Sequence, residues 1–162
     1  MMKLGVVLVL VAVIVLYLSR SRMASAPPQM PAVHLGDVPR VLQSVVSAGR
    51  DGTFGVVLFG ERGQPPAEVD ALNVQFSVEN GRVGLDWVLL APLNIAARER
   101  VTAFFKKQGS PLAPRSMNNV DYLRTEKGDL ATLCEAMLRS VFSVTETQRM
   151  DLIAEGFTWS SK

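Results

Sequence analysis

The side chains best suited to chemistry are few and scattered: a single histidine, His34, a single cysteine, Cys134, and a local group of carboxylates at Asp121, Glu126 and Asp129. One imidazole and one thiol make no zinc set, and they form no nucleophile-base pair of the common kind. His34 stands in a proline-rich stretch and reads as solvated, while Cys134 falls in the apolar stripe of a helix and reads as a buried packing thiol. The three carboxylates lack the interleaved spacing of a calcium loop and fit a strand end, a turn and a helix cap instead. Gly49, Gly52 and Gly55, spaced by three, match neither phosphate-loop fingerprint and read as turns. No catalytic, cofactor-binding or metal-ligating residue is therefore expected. Trp87 belongs to the inner face of a strand, whereas Phe157 and Trp159, in the closing FTWSSK, either fold back on the core or serve as a partner contact.

The strongest signal is physical. Residues 4–18, LGVVLVLVAVIVLYL, are uncharged throughout and take twelve of fifteen positions from Leu, Val and Ile, between Lys3 and the pair Arg20 and Arg22. As a helix this run rises about 22 Å against a hydrocarbon core of roughly 30 Å, and Met1, Met2, the Lys3 stem and Tyr17 close most of the gap. Leu4, Val7, Leu8, Val11, Ile14, Val15 and Leu18 are the expected anchor residues, with no polar stripe to suit a soluble helix. The rival is a secretory signal peptide cut after Ala24-Ser25-Ala26. Positive charge just after the apolar core, Pro27 beyond the cut and the distance from Leu18 to that cut all favour a retained single-pass anchor over an exported periplasmic or secreted domain. Arg40 and Arg50 tip a near tie of flanking charges toward a cytoplasmic domain.

Residues 21–36, rich in Pro27, Pro28 and Pro31, read as a semi-rigid linker, and residues 37–162 as one domain, too short for two. No acid precedes Asp37, so Lys3, Arg20 and Arg22 give the leader +3 and leave the rest at −1 within the overall +2. The basic balance belongs to the membrane segment and gives no case for nucleic acid; Lys106 and Lys107 read as a solvated helix edge.

The positioning elements follow from periodicity. Val38, Val41, Leu42, Val45 and Val46 form a helical stripe, with Asp37 as a start cap and Gly49 as a left-handed stop. Residues 53–60 predict a strand buried on both faces, and 61–70 a loop. Val74, Phe76 and Val78 alternate with Asn73, Gln75, Ser77 and Glu79, giving one buried and one wet face; Asn80-Gly81 then turns the chain into a strand carrying Val83, Leu85, Trp87 and Leu89. An amphipathic helix is expected over 94–108, a fourth strand over 120–124, and a helix through Leu130, Leu133, Cys134, Met137, Leu138, Val141 and Phe142. Thr145 and Gln148 look like a capping box opening a last short helix that ends near Gly156. The expectation is thus α+β, of order αβββαβα(α), with a mainly antiparallel sheet packed by helices behind a single transmembrane helix.

That order, with Asn73-Val74-Gln75-Phe76 before the hairpin, residues 83–90 after it, the helix through residues 133–142 and the closing Gly156-Phe157-Thr158-Trp159, resembles the type III secretion chaperone-like fold, including the YbjN-type bacterial regulators. The resemblance covers residues 37–159 and implies an α+β domain that binds other proteins by its sheet and helix surfaces, often as a homodimer, without catalysis or cofactor. This chain departs from it in carrying a membrane segment, which argues against a freely diffusing chaperone. The functional expectation is a membrane-anchored protein-binding domain, an assembly factor, chaperone-like adaptor or regulator with an unknown protein partner. An exported binding domain and an enzyme of unfamiliar type are the alternatives.

Overall fold

The computed structural model describes residues 30–67 and 70–160, so the anchor residues Leu4, Val7, Leu8, Val11, Ile14, Val15 and Leu18 lie outside the described part. Its elements run β1 (Ala32–Val33), α1 (Val38–Ala48), β2 (Phe54–Phe59), β3 (Leu72–Glu79), β4 (Arg82–Val88), α2 (Pro92–Lys107), β5 (Ala113–Met117), β6 (Val120–Thr125), α3 (Leu130–Phe142) and β7 (Met150–Glu155). The seven strands form one antiparallel sheet in the order β1-β7-β2-β3-β4-β6-β5. The expected α+β class holds, as does the hairpin: Asn80 and Gly81 both take positive φ and set Glu79 opposite Arg82.

The three helices lie on one face of the sheet. Val41 and Val45 of α1 settle over Gly55, where an added Cβ would stand 2.9 Å from Val41 Cγ1, so the glycine lets helix and strand approach closely. Phe142 of α3 stacks on Trp87 at 5.6 Å and meets Phe59 edge-on at 5.2 Å, which confirms Trp87 as core. Gly49 closes α1 in the left-handed conformation, and Asp129 caps α3 by accepting from the Thr132 amide at 3.2 Å. Asp37 does not cap α1 with its side chain; it accepts from the His34 backbone N–H and from Arg40.

Four departures have physical causes. The final helix is a strand: β7 lies between β1 and β2, where Met150 and Leu152 reach the core by alternation and ladder bonds outweigh a weak helical pattern. The Thr145–Gln148 contact does form, with Gln148 Oε1 accepting from the Thr145 amide, yet it closes only a turn because the Gln148 amide also donates to Gly60 and Gln64 carbonyls. The unexpected β5 exists because Asn118 and Asn119, read as diluting a strand, both adopt positive φ and make a second hairpin turn. The folded part also starts before Asp37, since Val33 and Leu35 are fully buried. On α1, Val46 falls off the buried stripe and is 47% exposed.

Asn94 is the polar tie between layers. Fully buried in the first turn of α2, it accepts from the Asn73 amide at 3.0 Å, donates to the Asn73 and Val88 carbonyls at 2.9 Å each, and its own carbonyl receives the Trp87 indole N–H. Replacing Asn94 by Ala strands three backbone groups where water does not reach, and urea titration should show a loss of about 2–4 kcal/mol with an unchanged m-value.

Candidate functional site

Register places a second set of side chains on the sheet face away from the helices. Phe54, Val56 and Leu58 of β2 stand opposite Ser77, Gln75 and Asn73 of β3; beyond them come Gly84 and Asp86 of β4, then Arg124 of β6. The alternation along β3 was expected to leave this face wet. Asn73, Gln75, Ser77, Asp86 and Arg124 are all buried there, as are Phe54 and Val56.

At the centre lies a buried ion pair. Arg124 Nη1 donates to Asp86 Oδ1 at 2.7 Å and to the Ser77 hydroxyl at 2.9 Å; Nη2 donates to the Arg82 carbonyl at 2.9 Å; Nε donates to Glu126 at 2.9 Å, with Glu79 3.4 Å away. The other Asp86 oxygen accepts from the Ser77 hydroxyl and from the Gln75 amide. Both charges are thus paired and their hydrogen-bonding capacity is used, the condition under which burial of ions is tolerable. Gly84 makes the room: a Cβ there would stand 2.6 Å from Arg124 Nε. Burial pushes the Asp86 carboxyl above its ordinary range against the opposing pull of Arg124, Ser77 and Gln75. Tyr122, bonded to Glu79 at 3.0 Å, is also raised, by burial first and then by that carboxylate.

The residues singled out in the sequence are not brought together. His34 is half-exposed beside Asp37; Cys134 is fully buried, its thiol pushed up by burial and so kept protonated. Glu126 joins the arginine cluster instead of a plain turn, Asp129 caps α3, and Asp121 contributes its carbonyl to the Leu89 amide. Among the described residues, no group of three or more His, Cys, Asp or Glu side chains is placed to hold a metal. Phe157 and Trp159 fold back: the Phe157 ring approaches Gly55, and the Arg40 guanidinium lies 4.7 Å over the Trp159 ring while donating to the Ser160 carbonyl at 3.0 Å. Arg124, Asp86, Ser77 and Gln75 were not picked out in the sequence. The available signal was Asp86 between Leu85 and Trp87, with Gly84 inside the same strand, a position that marks close approach. Comparison with protein families, curated proteins and solved structures found no match.

Two measurements follow from this geometry. Gly84→Ala forces the guanidinium off its seat and should cost about 1–3 kcal/mol in denaturant unfolding. Arg124 holds the Glu126 carboxyl below its usual range, and the Thr132 amide and hydroxyl do the same for Asp129. Such groups bind a proton less readily folded than unfolded, so their stabilisation is complete above about pH 5 and fades as the pH falls through about 4. Asp86 has the opposite sign. The readout is therefore a difference: Glu126→Gln should show a shallower fall in melting temperature than the parent between about pH 6 and pH 3.

Proposed function

We propose that this chain is a single-pass membrane protein whose α+β domain binds a protein partner at the bilayer, as an assembly factor, chaperone-like adaptor or regulator. The observation that carries this reading is the apolar run 4–18 with basic flanks ahead of one domain. Among the described residues, no helix is long and apolar enough to cross a membrane, and the run lies outside them. Support for binding in place of chemistry comes from the charged cluster, whose members are engaged with one another in the sheet interior. Large apolar side chains also stand exposed on the helices at Leu93 and Ile95, available to a partner. The resemblance to type III secretion chaperone-like and YbjN-type proteins points the same way, and a homodimer is compatible with it. Arg40 and Arg50 tip the near tie of flanking charges and support a cytoplasmic side for the domain.

One observation favours a second reading. Ala24-Ser25-Ala26 fits a cleavage site, which would release an exported domain beginning near Pro27. N-terminal sequencing of the mature protein separates the two. The anchored protein should begin at its leader, pellet with membranes, resist high salt and alkaline carbonate, and dissolve only in detergent; removing residues 1–20 should release it. Intact full-length chain in the soluble fraction would end this proposal.

A further inference from the structure

The hairpin turn at Asn80-Gly81 holds a reactive pair of groups. A backbone nitrogen one residue beyond an asparagine can attack that residue's side-chain carboxamide, and glycine puts nothing in the way: a Cβ added to Gly81 would meet no atom within 4 Å. Asn80 and Gly81 are both exposed, so water reaches them. Two features keep the reacting atoms apart. Asn80 takes φ +52° and Gly81 φ +72°, and in the left-handed region the ψ rotation sets the Gly81 nitrogen nearly anti to the Asn80 Cβ, out of reach of its carboxamide. The Gly81 N–H is also occupied, donating to Asp51 Oδ1 at 2.7 Å.

Backbone bonds bring Asp51 to that position. After Gly49 ends α1, the Gly52 amide donates to the Val78 carbonyl at 3.1 Å and the Val78 amide to the Thr53 carbonyl at 2.9 Å, which lays residues 50–53 beside the end of β3. Gly52 takes φ +86°, a conformation that lets so short a turn present Asp51 to the hairpin. We propose that Asn80 is a latent site of spontaneous deamidation and that Asp51 is the clamp that suppresses it. In the reaction the Gly81 nitrogen loses its proton and bonds to Asn80 Cγ, the bond from Cγ to the side-chain nitrogen breaks, and ammonia leaves. Water then opens the cyclic imide to aspartate or, by attack at the main-chain carbonyl, to isoaspartate; water is the only co-reactant. Asp51 opposes the first step twice, because its hydrogen bond keeps the turn closed and its negative charge disfavours the amide anion that must attack. Isoaspartate would put an extra methylene into the main chain between Glu79 and Arg82, whose carboxylate and carbonyl face Arg124 at 3.4 Å and 2.9 Å. Chemistry in an exposed turn is thereby tied to the buried ion pair.

The test incubates the full chain, Asp51→Ala and Asp51→Asn in detergent micelles at mildly alkaline pH, well below the unfolding temperature. Mass spectrometry follows the conversion of amide to acid in the peptide that spans Asn80. Asp51→Ala should deamidate there about tenfold faster than the parent, since a hydrogen bond to a charged group no longer holds the turn closed. Asp51→Asn keeps an acceptor and loses the charge, so its rate should fall between the two. Asn118 and Asn119, in the other turn with positive φ, report general loosening, and their rates should not change. Equal rates at Asn80 in all three chains overturn the proposal, as does slower deamidation of Asp51→Ala, which would make the carboxylate the base that drives ring closure. An acceleration at Asn80 that is matched at Asn118 and Asn119 overturns it too, because the variant would then have loosened the whole fold and not released a clamp.

Discussion

The Arg124–Asp86 pair is the constraint around which the sheet is arranged. A guanidinium and a carboxylate stand on adjacent inner strands, in register, where both are 2% exposed. Their burial is tolerable only because Ser77 and Gln75 of β3 satisfy the second carboxylate oxygen while Glu126 and the Arg82 carbonyl take the remaining guanidinium donors. Three strands are thereby fixed against one another, since a one-residue slip would turn every partner to the other face. Gly84 is required for the same reason: no side chain fits beneath the arginine.

Two polar devices thus hold the layers together. Asn94 joins α2 to the ends of β3 and β4 on the helix side, and Arg124 joins β3, β4 and β6 on the other. Between them, the Trp87, Phe142 and Phe59 rings fill the core. The helices add contact area without committing their charged groups to the sheet.

Much of this fold was legible in the residues. Long helices with regular apolar spacing, the Asn80-Gly81 turn and the doubly buried β2 carry local signals that tertiary contacts reinforce. Where the reading failed, a distant partner decided the outcome. Met150, Leu152 and Ala154 look weakly helical until β2 and β1 offer hydrogen bonds on both sides, and β1 itself is two residues that only β7 defines. The candidate site was hidden for the same reason. Gln75 and Ser77 alternate as solvent-facing residues do, and only the register that sets Arg124 beside Asp86 reveals that the face is buried. Asn118-Asn119 was readable in principle, because both residues tolerate positive φ, but Asn-Gly is the stronger signal.

A double-mutant cycle on Asp86 and Arg124 tests the central claim most directly, with Asp86→Leu, Arg124→Met and the pair compared by urea unfolding. Each single variant leaves one charge buried without its partner and should lose about 3–5 kcal/mol, while the double variant recovers much of that loss, giving a coupling energy of at least about 2 kcal/mol. Losses that simply add, or single variants as stable as the parent, would contradict the view that this pair organises the sheet.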